Sequence, residues 1–311
     1  MEQVKSSKKL KLHKLGKAVL SNKTFYAMLI PGIVLTFIFS YMPMYGIVLA
    51  FKKYSIRKGI LGSEWVGWLN FKNLFDVPQF WLAFRNTVLL NVLKLVFAFP
   101  VPIILALMIN SVTNKYAKKT VQTVLYLPHF VSWVVVAGVV FSLLDPDGAI
   151  YSALTLVGVK DFDILANDGS FLALLVITDI WKEAGWSAII YLAALLSISG
   201  EYYEAAKVDG ASAWKILWAI TLPLLLPTVS IMLILQIGGL VSGGMDQVYN
   251  LYNEQVYDIA DNLATFSYRF GIGEGNFEMG TAIGLFSNVI NVALLIGANK
   301  LTKVLGGEAL Y

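Results

Sequence analysis

The chain has no cysteine in 311 residues and only two histidines, His13 and His129. The first absence removes disulfides, thiolate nucleophiles and cysteine-built metal sites. The second leaves no basis for a histidine-built metal centre. Charge is scarce as well. Asp, Glu, Lys and Arg make up 14% of the residues, where a soluble domain carries about 25%. No Gly-x-x-x-x-Gly-Lys-Ser/Thr stretch is present, and Gly306-Gly307 comes late with no lysine after it, so no ATP phosphate loop is encoded. No nucleophile–base constellation stands out, and the chain reads as a non-enzyme. What it has in abundance is apolar side chains, 57% of the total, which marks an integral membrane protein. The net charge of +4 is explained by where the lysines stand, not by a nucleic-acid partner.

Six apolar runs are long enough to cross a bilayer, each needing about 20 residues. They lie near Phe25–Phe51, Thr87–Asn110, Val121–Leu144, Phe171–Ser197, Thr221–Ser242 and Gly280–Asn299. The first is too long for the core of a removable signal peptide. Strand-like alternation is absent, which disfavours a β-barrel. Pro31, Pro43, Pro100 and Pro102 fall within spans, where neighbouring helices can satisfy the freed backbone groups.

Basic residues set the expected orientation. Lys5, Lys8, Lys9, Lys11, Lys14, Lys17 and Lys23 precede the first span, and Lys115, Lys118 and Lys119 follow the second. Lys207 and Lys215 lie between the fourth and fifth, and Lys300 and Lys303 end the chain. In a six-span chain all four groups share one side, so both termini are expected in the cytoplasm. The opposite loops are acidic, with Asp145, Asp147, Asp161, Asp163 and Asp168 in one and Asp246, Glu254, Asp258, Asp261, Glu274 and Glu278 in the other. Lys52, Lys53, Arg57 and Lys58 break the pattern. Leu12, Leu15 and Val19 recur at helical spacing among the first lysines, which predicts an amphipathic helix on anionic lipid. The expected organisation is a basic segment over 1–24, a membrane domain over 25–303 and a tail over 304–311.

Ionisable side chains inside spans are functional candidates by default. Asp179, Lys182 and Glu183 share a helix face. They form either a polar wall or a cluster in which two carboxylates neutralise one lysine. Lys94 reads as structural rather than substrate-binding, with a stem long enough to snorkel toward the surface, and His129 as a hydrogen-bonded packing residue. Toward the outer end of the fifth span run Gln236, Gly238, Gly239, Ser242, Gly243, Gly244, Asp246 and Gln247. The small residues suit close helix packing or space for a bulky solute. Gln236, Asp246 and Gln247 supply hydrogen-bonding groups. Asn288 and Asn291 form a second candidate wall on the sixth span. Trp133, Trp186 and Tyr191 suit either stacking on a ring or interface anchoring. Tyr249, Tyr252, Tyr257, Phe266, Tyr268 and Phe270 crowd one outer loop, suited to the membrane interface or to a docking protein.

One segment is more specific than all of these. Residues 204–223 read Glu-Ala-Ala-Lys-Val-Asp-Gly-Ala-Ser-Ala-Trp-Lys-Ile-Leu-Trp-Ala-Ile-Thr-Leu-Pro. Glu204 is expected near a helix N-terminus, where a carboxylate complements the dipole. Gly210 permits a turn that other residues resist. A second helix is expected from about Ala211, and Pro223 fits the first turn of the next span. Glu204, Ala205, Ala206, Asp209, Gly210, Ala211 and Pro223 stand at the spacing of the EAA loop, and the segment resembles that loop in permease subunits of binding-protein-dependent ABC importers. The resemblance extends along the chain. Tyr126-Leu-Pro-His-Phe-Val-Ser-Trp133, Leu144-Asp-Pro-Asp-Gly148, Trp181-Lys-Glu-Ala-Gly-Trp186 and Asn299-Lys-Leu-Thr-Lys303 are similar to the polysaccharide and oligosaccharide permeases of that family.

The resemblance implies an all-α type I importer permease with six transmembrane helices and cytoplasmic coupling helices over 200–222. It implies a bacterial plasma-membrane location and pairing with a second permease. It further implies an ATPase dimer that binds the ATP and Mg this chain does not, and an extracytoplasmic sugar-binding protein. The solute would be an oligosaccharide or polysaccharide fragment moved by alternating access, with Gln236, Gly239, Gly243, Asp246, Gln247, Asn288 and Asn291 as candidates for its path. The asparagines of maltose-type permeases are not matched. The rival readings are a secondary transporter or channel without an ATPase, and a membrane enzyme.

Overall fold

The computed structural model describes residues 21–156, 163–241 and 243–304. Residues 1–20, with the amphipathic helix expected there, most of the C-terminal tail, Asp161 and Ser242 lie outside the described residues. The main helices are α1 Lys23–Phe51, α2 Leu69–Phe75, α3 Pro78–Ser111, α4 Lys115–Tyr126, α5 Trp133–Leu144 and α6 Ala149–Leu156. They continue with α7 Asp168–Ser197, α8 Gly200–Val208, α9 Ala213–Gly238, α10 Met245–Leu251 and α11 Phe277–Val304. A two-residue hairpin, β1 Lys52–Lys53 with β2 Glu64–Trp65, follows α1. Among the described residues, five stretches are long and apolar enough to cross a membrane: α1, α3, Trp133–Leu156, α9 and α11. A sixth is reached when α7 and α8, bent by 64° at their junction, are taken together as one span.

Three of the prolines share one pattern. α1, α3 and α9 open to π spacing over Phe37–Tyr41, Lys94–Ala98 and Leu217–Thr221. Each time a proline stands two residues later: Pro43, Pro100 and Pro223. Proline offers no N–H and its ring presses on the carbonyl four residues back. A widened turn moves that carbonyl aside and lets the helix continue. Pro223 therefore lies inside the continuous helix Ala213–Gly238, not at the start of a span as expected.

The third apolar run also differs from the expected single helix over Val121–Leu144. Its first part is α4, capped by the Asn114 side chain. A 3-10 turn at Leu127–Phe130 and the extended Val131 and Ser132 then break the helix. Pro128 begins the break, and the Ser132 hydroxyl caps α5. α4 crosses α7 at Gly185, where a Cβ would lie 2.0 Å from the Leu125 carbonyl oxygen. Gly185 is mid-helix, so the break sits at the depth of the middle of α7. Irregular backbone at membrane depth has to be covered by protein or face water.

α7 is the axis of the packing. Phe171 and Leu175 pack with Leu90, Ala137, Val248 and Leu251 at one end. Ala188, Tyr191 and Leu195 pack with Ala106, Ile109 and Leu225 at the other. A third cluster joins Phe71, Phe80 and Ala83 to Ala282 and Ile283 of α11. α1 is the exception: apart from Ala50, none of its residues is buried.

Candidate functional site

The exposed helix pair α8–α9 begins at Ser199, whose hydroxyl accepts the Glu201 N–H. The helix thus starts at Gly200, one turn before the expected Glu204, and Glu201 is the acid in its first turn. α8 ends in a turn made by Gly210 at φ +75°, with the Ala211 N–H donating to the Ala206 carbonyl at 2.9 Å. The Ser212 hydroxyl accepts the Lys215 N–H and caps α9. Glu204, Ala205, Asp209 and Gly210 are exposed, and Ala206 and Ala211 are half-buried. Tyr202, Val208, Trp214 and Trp218 are exposed too, Val208 at 88%. Large apolar side chains thus stand exposed on two capped helices joined by a tight turn.

A second feature lies within the membrane bundle. A cleft of about 280 Å³ is lined by Lys94, Phe99 and Pro102 of α3, Asp179, Glu183, Ser187 and Tyr191 of α7, and Met232 and Gln236 of α9. The four α7 residues recur at intervals of four and so share one face. Ser187 and Met232 were not singled out from the sequence, although the four-residue interval after Asp179 and Glu183 pointed to Ser187.

The charges in this region are all spoken for. Lys94 Nζ donates to Asp179 Oδ1 at 2.7 Å and to Gln247 Oε1 at 2.6 Å. Gln247 Nε2 in turn donates to the Leu175 carbonyl and to Thr178 Oγ1. Lys94 is buried and does not snorkel: its ammonium ties α3 to α7 and α10. Asp179 accordingly does not neutralise Lys182. Lys182 Nζ donates to the His129 carbonyl at 2.7 Å and to Glu183 Oε1 at 3.1 Å. The His129 ring contacts Glu183 Oε2 through Nδ1 at 2.7 Å and stacks on Trp186, ring centres 4.5 Å apart. Lys182 and Glu183 thus hold the broken third span, one by its freed carbonyl and the other by its ring, and His129 is the hydrogen-bonded packing residue expected of it.

The candidate path residues separate. Gln236 faces the cleft. Gly239 closes the end of α9, and Gly243 lies in the connection to α10. Asp246 is exposed on α10, whereas Gln247 beside it is buried and engaged with Lys94. Asn288 is exposed on α11. Asn291 is buried, and its Oδ1 accepts the Val241 N–H at 2.8 Å, satisfying an amide just past the end of α9. Gln247 and Asn291 therefore stitch elements together, and neither Asn288 nor Asn291 lines the cleft. Among the aromatics between α9 and α11, Tyr249 and Tyr268 meet edge to face at 5.2 Å and both are exposed.

Replacing Lys94 with methionine should cost about 3–5 kcal/mol, because it strands a carboxylate and an amide in the bundle. Lys94→Met with Asp179→Asn should recover much of that loss. Thermal stability in detergent reads both; equal stability of single and double variants would show that the pair is not coupled.

Residues 98–301 match the family model described as the binding-protein-dependent transport system inner membrane component. The chain is 42% identical to the polygalacturonan/rhamnogalacturonan transport system permease protein YteP of Bacillus subtilis strain 168, over 98% of this chain and 95% of that one. It is 40% identical to Protein LplB of the same organism, over 94% and 93%. Among solved structures it is similar to a chain of a bacterial alginate ABC transporter in complex with an alginate pentasaccharide-bound periplasmic protein. There the TM-score is 0.86 and the identity 37%, over 94% of this chain and 99% of that one. The exposed helix pair, the apolar helices around a polar cleft and these similarities agree: the chain belongs to the family of inner-membrane components of binding-protein-dependent transport systems, and is a multi-pass membrane permease.

Proposed function

We propose that the chain is one of two permease subunits that together carry an oligosaccharide, or a fragment of an acidic polysaccharide, across a bacterial plasma membrane. The observation that carries this reading is the cleft between α3, α7 and α9, where Asp179, Glu183, Ser187 and Gln236 supply hydrogen-bonding groups beside the half-buried Phe99 ring. That is the chemistry of a saccharide, which has many hydroxyls and an apolar ring face. The relatives named for polygalacturonan and rhamnogalacturonan and the alginate-transporter neighbour support the substrate class. Gly239, Gly243 and Asp246 continue the path beyond Gln236.

The second permease is placed against α1, whose first half packs on little of its own chain. An ATPase dimer, which binds the ATP and Mg, meets α8 and the start of α9. Glu204, Ala205, Ala206, Asp209, Gly210 and Ala211 couple its closure to the path. A saccharide-binding protein delivers the solute at the opposite end. Both termini and α8 face the cytoplasm, the side assigned to the main lysine groups.

Since the chain lacks cysteine, single cysteines report cleanly. In the assembled transporter, Ser187→Cys and Gln236→Cys should react with an impermeant thiol reagent added from outside when the path is open outward. A bulky adduct at either should then block uptake. Ser212→Cys should react only from the cytoplasmic side. Adducts in the cleft that leave uptake intact would move the path elsewhere, and labelling of Ser212→Cys from outside would reverse the orientation.

A further inference from the structure

The four cations that follow α1 stand apart from the lysine distribution, and the fold around them is specific. Lys52 is consumed internally: its ammonium donates to the Ile60 carbonyl at 2.7 Å and the Leu61 carbonyl at 3.2 Å. The Ser63 hydroxyl donates to the Gly59 carbonyl and accepts the Ser55 N–H. Asn70 Nδ2 donates to the carbonyls of Ala50 and Lys52 and so clamps the segment onto the end of α1. The loop is therefore a built shape. It holds Ile56 and Leu61 out at 77% and 82% exposure. It also exposes Lys53, Arg57 and Lys58, and among the described residues none of these three is in an ion pair.

An aromatic cluster marks where this loop begins. Phe51, the last residue of α1, stacks on Trp65 with ring centres 5.7 Å apart and meets Trp68 edge-on at 5.3 Å. The register Lys52↔Trp65 puts that ring at the root of the hairpin, and Trp65 and Trp68 are both largely exposed. Tryptophans at the end of an apolar span are the signature of the headgroup level of a bilayer. Cations just beyond it gain from anionic headgroups, by an amount that falls off within a Debye length. Glu64 is the one acid between Lys52 and Leu69, so the patch is cationic.

We propose that the segment Lys52–Leu69 is an anionic-lipid anchor. Trp65, Trp68, Ile56 and Leu61 enter the headgroup layer of the leaflet at this end of α1, and Lys53, Arg57 and Lys58 bind its phosphates. Continuity with a membrane-spanning helix and charge complementarity select lipid over a protein. The anchor accounts for cations at an end of the bundle whose other loops are acidic: they are held to the membrane surface. It also gives α1, whose first half has little packing of its own, a fixed depth.

The test uses the complete transporter in nanodiscs of phosphatidylcholine and phosphatidylglycerol. Leu61→Cys, with Ile56→Cys as a second site, carries an environment-sensitive fluorophore. Shallow nitroxide lipids should quench the probe and aqueous iodide should not, with nitroxide on phosphatidylglycerol quenching better than on phosphatidylcholine. Replacing the three cations, Lys53→Gln with Arg57→Gln and Lys58→Gln, should reduce that preference about tenfold or more. Quenching by iodide alone would overturn the anchor. So would shielding that arises only when the saccharide-binding protein is added, which would make the patch a protein-docking surface. Lipid quenching with no preference, or a preference that survives loss of the three cations, would overturn anionic recognition.

Discussion

Gly210→Val should lower uptake about tenfold or more, as expected for 1.4 kcal/mol or more of lost coupling, while Gly210→Asn keeps most of it. Gly210 joins α8 to α9 at φ +75°, and a Cβ there would meet nothing within 4 Å. Crowding is therefore not the obstacle. The obstacle is the left-handed backbone, which costs an ordinary residue about 1–2 kcal/mol and is worse for a β-branched one. Asparagine tolerates that conformation. Valine would relieve the strain by changing the turn, and the exposed Val208 and Trp214 would lose their relative placement. The turn lies outside the packed bundle, so insertion and assembly of the membrane helices should survive. Uptake assays of both variants at matched membrane levels decide the matter. Normal uptake by the valine variant would remove the turn from the coupling machinery.

The second large effect is expected at Gly185. A Cβ on this residue would come within 2.0 Å of the Leu125 carbonyl oxygen and 2.6 Å of its carbon. Both are backbone atoms, so no side chain can rotate away. Overpacking a well-filled core typically costs about 1–3 kcal/mol, and here a whole helix must move. The Lys182 bond to the His129 carbonyl lies one turn away and would be pulled apart with it, leaving a carbonyl unpaired at membrane depth. Gly185→Ala should cut the amount of folded, monodisperse transporter several-fold, and Gly185→Leu should eliminate it. Gly284→Ala serves as the control, since a Cβ there meets nothing within 4 Å. Gel filtration of detergent extracts reads all three. A stable Gly185→Leu protein would mean that α4 does not cross α7 at this point.

The span positions and the helix–turn–helix loop around Gly210 were legible in the sequence for different reasons. A bilayer demands about 20 apolar residues per helix, so the runs announce themselves, though α3 begins at Pro78 and α9 ends at Gly238. The loop was legible because its residues are contiguous and its turn needs a glycine. Its first helix begins at Gly200, within the expected bounds 200–222, but Ser199 rather than Glu204 marks the N-terminus, because the serine hydroxyl meets the first free amides. The polar residues inside the spans were much less legible. Spacing alone placed Lys182 between Asp179 and Glu183, yet Asp179 pairs with Lys94, 85 residues away, and Lys94 with Gln247, 153 residues away. Helix periodicity reports which side chains share a face and is silent about what the neighbouring helix presents to them.

By itself, then, the sequence determined the solvent and the trade. Its apolar runs require a membrane, and its contiguous loop signature marks a transport permease. It encodes no ATP phosphate loop. Only the tertiary structure decided where the third span breaks, which carboxylate each lysine holds, and that Gln247 and Asn291 are structural ties while Ser187 and Gln236 face the cleft. The physical reason is the cost of a lone polar group in the bundle. Each must find a partner wherever one lies within about 3 Å, and distance along the chain has no part in that search.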